Sequence, residues 1–374
     1  MINFIGLKEQ QERLRERIDS RIANVLNHGK YILGPEIEEL EERLSKYVGS
    51  KFCITCSSGT DALLMSLMSQ DIGPGDAIIT TPFTYIATAE VVQLLGGRTY
   101  FCDINPQTFN IETHNLEDAF NQASDDGYQV RGIIAVDIFG LPSRYRILDE
   151  FAKDKSIFLV QDMAQSFGSS IRNKKSGTFG DMGATSFFPS KPLGCYGDGG
   201  AIFTDNPDSA EKLRSIRVHG AGKDKYDNIR VGINGRLDTI QAAILIEKLD
   251  VFKEELLQRQ TIANYYKQNL NTEFETQYIP KEYISAHALF PVVAADQSHR
   301  EKAMKALSDN NIPSMIYYKK PLHLQKTFLE KGDHYPTFSN SENLSKKIFS
   351  LPFHPYLSEE DMDKILSVLN NVKR

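Results

Sequence analysis

The stretch that decides the fold is residues 132–166, GIIAVDIFGLPSRYRILDEFAKDKSIFLVQDMAQS. Its two short apolar runs, 132–136 and 157–160, have the length and composition of buried strands, and the segment between them predicts a helix around 145–153. Strands that alternate with helices at this spacing are typical of a mainly parallel sheet covered by helices on both faces. We therefore expect an α/β fold.

The same alternation extends to both sides of this stretch. Further strands are predicted at 52–56, 77–81, 99–102, 185–188 and 201–204, and further helices at 8–27, 35–48, from Thr60 onward and at 85–95. Residues 236–270 predict one long helix or two abutting helices, which we interpret as the bridge to a smaller domain. That domain has predicted strands near 289–293 and 314–317 and predicted helices at 298–309 and 359–371. The predicted division is a large domain, 1–248, and a small domain, 249–374.

Length and composition restrict the class of protein. A chain of 374 residues predicts two domains, at about 150 residues for each domain. Its 43 basic and 49 acidic residues give a net charge of −6, which argues against nucleic acid and anionic membranes as partners. No apolar run approaches the roughly 18 residues that a membrane span requires, and the N-terminus lacks the apolar stretch of a signal peptide. We therefore expect a cytoplasmic enzyme.

The four cysteines predict neither a disulfide framework nor a metal site. Cys53 and Cys56 form a C-x-x-C motif, but no second pair and no histidine cluster completes a zinc site. The motif lies in a predicted strand, where residues three positions apart face opposite sides of the sheet. The favoured interpretation is therefore two buried core cysteines and no bound metal.

The segment 56–63, CSSGTDAL, contains a predicted anion site. A strand leads into small residues and then into a helix whose first turn carries hydroxyl groups and free N–H groups. At such a helix start, unsatisfied N–H donors and the positive end of the helix dipole point outward together. The alternative is that Ser58 or Thr60 only caps the helix.

Two ionisable residues follow strands further along the chain. Asp162 stands at the carboxyl end of a buried strand, where open α/β sheets bind ligands, and a buried carboxylate needs a cation or hydrogen-bond donors. Its alternative role is to cap the next helix. Lys191 lies between Pro189 and Pro192 before a glycine-rich stretch, and a Schiff-base lysine needs such a fixed position and a lowered pKa. Its alternative is a solvated surface charge.

The order of these features predicts a cofactor. Pyridoxal phosphate (PLP) requires a phosphate site, an acid for its pyridine nitrogen and a lysine for its aldehyde. The helix start, Asp162 and, 29 positions later, Lys191 supply these parts in sequence. No G-x-G-x-x-G or Walker motif occurs, so nicotinamide and nucleoside triphosphate cofactors are not favoured. A fourth segment, 217–237, contains polar groups that suit either an anionic ligand or a solvated connection.

On these and further motifs, the sequence resembles the DegT/StrS group of sugar-nucleotide aminotransferases of PLP fold type I. The matching motifs are GTDAL (59–63), TPFTYIAT (81–88), DMAQS (162–166), SFFPSKPLGCYGDGG (186–200), RLD (236–238) with QAA (241–243), and SLP (350–352) with HPY (354–356). The resemblance covers essentially the whole chain. It implies a large domain with a mainly parallel sheet of seven-stranded type between helices, and a smaller α+β C-terminal domain.

The resemblance also implies roles for individual residues. It implies a covalent Schiff base between PLP and Lys191, with the pyridinium nitrogen at Asp162. The other residues implied in cofactor binding are Gly59, Thr60 and Ser186 at the phosphate, Tyr85 on the ring, Gln165 at the hydroxyl side, and Asn234, which reaches the phosphate of the neighbouring subunit. The residues implied in sugar-nucleotide binding are Gly29, Tyr31, Ser190, Arg236, Tyr317 and Tyr318. The expected assembly is a homodimer with shared sites.

Two runs narrow the expected substrate. The runs 186–200 and GKYILGPE (29–36) look like the branch of the family that acts on UDP-2-acetamido-2-deoxy-3-oxo-glucuronate. This implies a ping-pong transamination with L-glutamate, in the biosynthesis of surface polysaccharide such as the O-antigen of lipopolysaccharide. The alternatives are a C4 keto sugar nucleotide, a dTDP-linked deoxy sugar, or a non-catalytic regulator on the same fold. Sugar dehydratases of this fold carry His in place of the lysine, whereas Lys191 is present here.

Two positions and one segment depart from the family pattern. Gly6 stands where an Asp is usual, and Met163 replaces the usual Ala after the acid. The pocket segment 317–323 reads YYKKPLH, where relatives often have His-Tyr-Pro. These changes leave the implied cofactor residues intact.

Overall fold

The structure, a computed structural model, describes residues 2–224, 226–329 and 335–374. In chain order its helices are α1 (Leu7–His28), α2 (Pro35–Val48), α3 (Gly59–Ser69), α4 (Ala87–Leu94), α5 (Leu116–Asp125), α6 (Tyr145–Lys155), α7 (Pro207–Ile216), α8 (Thr239–Asn269), α9 (Gln297–Asp309), α10 (Ser339–Lys347) and α11 (Glu359–Asn370). Its strands are β1 (Phe52–Cys56), β2 (Asp76–Thr80), β3 (Arg98–Phe101), β4 (Gln129–Val136), β5 (Phe158–Asp162), β6 (Ser170–Ile171), β7 (Lys174–Lys175), β8 (Met182–Ser186), β9 (Gly200–Thr204), β10 (Glu275–Thr276), β11 (Tyr283–Ile284), β12 (Phe290–Val293) and β13 (Ile348–Leu351).

A seven-stranded sheet in the order β1-β9-β8-β5-β4-β2-β3 forms the centre of the large domain. The pairs from β8 to β3 are parallel, and β9 runs antiparallel to both of its neighbours. In β2, Ile78 packs into one apolar cluster while Ala77 and Ile79 pack into another, as the alternation of side chains along a strand requires. The predicted α/β fold with a mainly parallel sheet between helices is therefore confirmed.

The cysteine prediction can be checked in β1, at one edge of this sheet. Cys53 packs into one apolar cluster and Cys56 into another, so the two thiols lie on opposite faces. All four cysteines of the chain are buried and free. Burial raises the pKa of the Cys53 thiol, which keeps it in the neutral form that suits an apolar core. The interpretation of the motif as core residues is confirmed.

Helix α8 connects the sheet to the C-terminal part of the chain. It is a single helix of 31 residues, and the predicted domain boundary at 248 and 249 falls inside it. Its second half packs with α9 and α11 against the antiparallel sheet β10-β12-β13. Ile2 joins this C-terminal core, and the carbonyl of Phe4 accepts a hydrogen bond from the N–H of Phe353 at 3.1 Å. The first residues of the chain therefore cross over to the C-terminal part.

One predicted strand was wrong, and one small sheet was not predicted. Residues 314–317 do not form a strand, because only Met315 pairs with Ser350 before the chain turns at Tyr317. Pro313 precedes this contact and has no N–H group to extend the pairing. A three-stranded sheet, β11-β6-β7, was not predicted, since each of its strands has only two residues. Of the described helices, none has the length and apolar character that crossing a membrane requires.

Candidate active site

Asp162 lies at the carboxyl end of β5, in the middle of the central sheet. Its side chain is only 6% exposed. Its Oδ2 accepts a hydrogen bond from Thr88 Oγ1 at 2.8 Å, and its Oδ1 accepts one from the N–H of Ala164 at 3.2 Å. Burial raises the pKa of Asp162, and these two donors and Lys191 act against that rise. The carboxylate is therefore held by two hydrogen-bond donors, and the charge of Lys191 also favours its ionised form.

Lys191 lies in the turn that follows β8, on the side of the sheet where Asp162 ends its strand. The N–H of Lys191 donates to the carbonyl of Phe188 at 2.8 Å, which closes the turn around Ser190. Burial lowers the pKa of the Lys191 ammonium, and the charge of Asp162 partly reverses this effect. The side chain is half-buried, so the alternative of a fully solvated surface charge is not favoured. A lowered pKa increases the fraction of neutral amine, which is the form that attacks an aldehyde.

The start of α3 lies against the end of β8. Ser58 caps the helix, and its Oγ accepts a hydrogen bond from the N–H of Asp61 at 3.0 Å. A Cβ atom at Gly59 would lie 2.5 Å from Cβ of Ser186, so only glycine allows this approach. The first N–H groups of a helix have no acceptor within the helix, and here they belong to Gly59 and Thr60. Capping by Ser58 therefore leaves the N–H groups of Gly59 and Thr60 available, and the predicted anion site stays a prediction.

Gln165 connects the Asp162 loop to the segment near residue 318. Its Oε1 accepts a hydrogen bond from the N–H of Phe139 at 2.8 Å, and its Nε2 donates to the hydroxyl of Tyr318 at 3.1 Å. The rings of Tyr317 and Tyr318 lie 5.9 Å apart, centre to centre. Burial raises the pKa of Tyr318, so its hydroxyl stays protonated. By contrast, the ring of Tyr85 is 59% exposed and is free to stack on a ligand.

Three further predicted ligand-binding residues, Tyr31, Asn234 and Arg236, lie near the start of α8, whereas Gly29 lies at the end of α1 and Ser190 in the turn of Lys191. Gly29 ends α1 in a left-handed conformation, and the carbonyl of Tyr31 accepts a hydrogen bond from the N–H of Thr239 at 2.9 Å. This brings the segment beside Arg236, whose Nε is buried and has no hydrogen-bond partner among the described residues. Asn234 is exposed. The hydrogen bond from Thr239 thus connects Tyr31 to the start of α8.

Comparison with known proteins decides the class to which this site belongs. Residues 12–370 match the DegT/DnrJ/EryC1/StrS aminotransferase family. The chain belongs to this family. The UDP-2-acetamido-2-deoxy-3-oxo-D-glucuronate aminotransferase of Pseudomonas aeruginosa is 41% identical over 372 residues, which cover 99% of this chain and 100% of that protein.

Solved structures agree with this assignment. A DegT DnrJ EryC1 StrS aminotransferase from Brucella abortus is 43% identical with a TM-score of 0.96, over 99% of this chain and 98% of that chain. The structure of ntda from Bacillus subtilis with bound cofactor PMP is 27% identical with a TM-score of 0.90, over 99% of this chain and 85% of that chain. The chain is thus a PLP-dependent aminotransferase, and the predictions of the family, the enzyme class and the fold are confirmed. The roles of its individual residues stay predictions.

Three buried residues near this aminotransferase site were not singled out from the sequence. Thr88 donates a hydrogen bond to Asp162. It was given no role of its own, although it lies within the run 81–88 that carries the family resemblance. Asp137, at the end of β4, is fully buried and accepts four short hydrogen bonds. Lys248, in α8, is buried and donates to the carbonyl of Gly194. Of these three residues, only Thr88 could have been found from the sequence, because the whole run 81–88 resembles the family motif.

Proposed function

We propose that this enzyme transfers the amino group of L-glutamate to the C3 keto group of a UDP-linked 2-acetamido-3-oxo-glucuronic acid. One observation carries the chemistry: a half-buried lysine with a lowered pKa, Lys191, lies beside a helix start and interacts with the charge of a buried acid, Asp162. The relative from Pseudomonas aeruginosa, named for this substrate and matched over its full length, supports the choice of sugar. The reaction would serve surface polysaccharide biosynthesis, including the O-antigen of lipopolysaccharide.

The residues of the site fit pyridoxal 5′-phosphate, which we propose is bound covalently through Lys191. The cofactor supplies an electron sink that stabilises negative charge at the amino acid Cα. Gly59 leaves open the space that a Cβ would fill against Ser186, and the helix start there suits a phosphate. Asp162 would hold a proton on the ring nitrogen. We assign Tyr85 to the face of the ring. The residues completing the proposed set are Thr60, Gln165 and Asn234.

Proton transfer falls to Lys191 once its amine is free. The low-dielectric surroundings favour the neutral amine, so Nζ can accept the proton from Cα of the amino donor and release it again. Thr88 and the N–H of Ala164 orient the Asp162 carboxylate and support its charged form. A charged Asp162 would hold a proton on the ring nitrogen of the cofactor and would so support the electron-withdrawing chemistry that the cofactor supplies.

The substrate is proposed to bind near the second group of residues. Arg236 offers a buried, unpartnered Nε, and a guanidinium suits the phosphates of a sugar nucleotide. The proposed set is completed by Gly29, Tyr31, Ser190, Tyr317 and Tyr318. The side chains of residues 31–33 are each more than two-fifths exposed although apolar, and those of Tyr226 and Val231 are over four-fifths exposed. Apolar surface of this kind supports association into a homodimer. We propose that its sites are shared between the subunits and that the enzyme is cytoplasmic.

The experiment that tests this proposal combines one variant with a substrate panel. The purified enzyme receives L-glutamate and each of several UDP- and dTDP-linked keto sugars, and the aminated product is identified by mass spectrometry. We expect amination of the UDP-linked 3-oxo-glucuronic acid, and loss of turnover in Lys191→Ala but not in the control Lys253→Ala, which changes an exposed lysine. Substantial turnover in Lys191→Ala would contradict the mechanism. Amination only of dTDP-linked deoxy sugars, or only at C4, would contradict the substrate.

A further inference from the structure

The turn that carries Lys191 is closely packed. The N–H of Lys191 donates to the carbonyl of Phe188 at 2.8 Å, and the N–H of Cys195 donates to the carbonyl of Phe187 at 2.8 Å. At Gly194, a Cβ atom would lie 2.5 Å from the carbonyl oxygen of Pro189, so no side chain fits there. The backbone on both sides of Lys191 is thus held in one conformation, and Gly194 marks the point where the turn closes.

Lys248, on α8, contacts the turn at this point. Its side chain is only 1% exposed, and its Nζ donates to the carbonyl of Gly194 at 2.6 Å. Nζ also lies 4.2 Å from the ring centre of Tyr196, at a distance typical of a cation–π contact. The structure therefore gives this buried ammonium group one hydrogen bond, to the carbonyl of Gly194, and one cation–π contact, with the ring of Tyr196.

A buried lysine at this place is not explained by stability alone. Burial lowers the pKa of Lys248 to about 8, although the charge of Glu255 acts in the opposite direction. An unbranched apolar side chain such as methionine fills similar space without the cost of burying a charge. What methionine lacks is the N–H donor to the carbonyl of Gly194. The hydrogen bond itself is therefore the feature that distinguishes lysine here.

Gln241 contacts the same stretch from the same helix. It lies seven residues before Lys248, which places both side chains on one face of α8, about two turns apart. Its Oε1 accepts a hydrogen bond from the N–H of Tyr196 at 2.9 Å, and its Nε2 donates to the carbonyl of Tyr196 at 3.4 Å. Helix α8 therefore binds the backbone at two points, Gly194 and Tyr196, directly after the Lys191 turn.

We propose that Lys248 is a positioning residue, which fixes the carbonyl of Gly194 and thereby sets the orientation of the Lys191 side chain. The proposal rests on the proposed function, in which Lys191 binds the cofactor and moves the proton. Helix α8 also donates from Thr239 to the carbonyl of Tyr31 in the proposed sugar-nucleotide segment. One rigid helix thus sets the distance between the reacting lysine and the substrate-binding segment.

The test compares Lys248→Met with Lys248→Arg in the cofactor-loaded enzyme, with Lys253→Met as the matched control on an exposed position of the same helix. For Lys248→Met we expect normal cofactor content, a fall in kcat of about 10- to 100-fold, and KM values within about threefold of the wild type. The absorbance of the bound cofactor as a function of pH should shift, because its lysine is displaced. Lys248→Arg should recover part of the rate, since it again offers a donor, and Lys253→Met should match the wild type.

An unchanged kcat and an unchanged absorbance titration in folded Lys248→Met would overturn the proposal. If that variant does not fold, Lys248→Gln decides, because its shorter side chain cannot reach Gly194 yet remains polar; wild-type values in Lys248→Gln would likewise overturn it. Failure of the proposed function has a different signature. In that case Lys191→Ala keeps a covalently bound cofactor after borohydride reduction, whatever residue occupies position 248.

Discussion

Asp137→Asn changes the most completely buried acid beside the site. The carboxylate is 0% exposed. Its Oδ1 accepts hydrogen bonds from the N–H of Ser143 at 2.8 Å and the hydroxyl of Tyr145 at 2.7 Å. Its Oδ2 accepts hydrogen bonds from Nε2 of Gln161 and Oγ of Ser166, both at 2.6 Å. Asparagine has nearly the same shape but no charge at any pH, and its amide nitrogen is a donor where Asp137 accepts hydrogen bonds. The loss of an acceptor is the same at every pH, so the pH-dependent part of the stability difference isolates the effect of ionisation.

Burial raises the pKa of Asp137 from 3.8 to about 6, against the lowering effect of these four donors. Between these two pH values, the folded chain keeps a proton that the unfolded chain has lost. The contribution of Asp137 to stability is therefore fully present below pH 3.8 and is lost as the pH rises through 6. A gap of about two pH units corresponds to about 3 kcal/mol in the free energy of unfolding.

The assay is urea unfolding of the wild type and Asp137→Asn from pH 4 to pH 7.5. Circular dichroism follows the transition, since the chain has no tryptophan to serve as a fluorescent probe. Other titrating groups contribute equally to both proteins, so the difference between their unfolding free energies isolates Asp137. Relative to the variant, the wild type should gain about 2 kcal/mol as the pH falls from 7 to 4.

The control is Asp125→Asn, which removes an exposed carboxylate at the end of α5. Its difference from the wild type should change little over the same pH range, because an exposed group differs little between the folded and unfolded chains. A difference between wild type and Asp137→Asn that stays constant within about 1 kcal/mol would refute the reasoning. Asp137 would then be charged at pH 4 in the folded protein, and its four donors would outweigh its burial.

Two further substitutions test the cofactor site. Thr88→Val removes the hydrogen bond to Oδ2 of Asp162, and a carboxylate that loses a donor has a higher pKa. We therefore expect kcat to fall about tenfold and the pH dependence of the cofactor absorbance to shift. Gly59→Ala places a Cβ 2.5 Å from Ser186, so the dissociation constant for PLP should rise by at least about tenfold in equilibrium titration. Gly73→Ala is its control, since a Cβ there meets no atom within 4 Å; equal affinities in the two glycine variants would contradict the close approach.

The sheet could be predicted because its strands are buried on both faces. All five residues of β2 are buried, and apolar runs of this kind between helices are visible in the sequence itself. The strands β6, β7 and β11 could not be predicted in the same way, because two residues show no periodicity. Their pairing depends on contacts between distant segments, such as the pairing of β11 with β6.

A site residue could be predicted where its chemistry suits a ligand and it also stands at the end of a predicted strand or at the start of a predicted helix. Asp162 follows its own strand and Gly59 begins its own helix, so each signal is local. Lys248 gives no such signal, because a lysine in a long helix next to a glutamate reads as a solvated charge. Its burial follows only from the packing of α8 against the turn after β8. Asp137 is similar, since its donors come from positions 143 to 166.

The buried ionisable residues of this region imply that replacing one of them changes the stability of the fold and the activity of the enzyme in opposite directions. Asp137, Asp162 and Lys248 are each buried. Burial raises the pKa of the two acids and lowers the pKa of the lysine, so it favours the neutral form of each side chain. Such a shift means that the charged form costs the fold free energy at neutral pH. Replacing Lys248 by methionine removes one of these costs, so the free energy of unfolding should stay constant or rise while kcat falls. A residue that only supports the scaffold gives the opposite result, with stability lost and the rate per folded molecule retained.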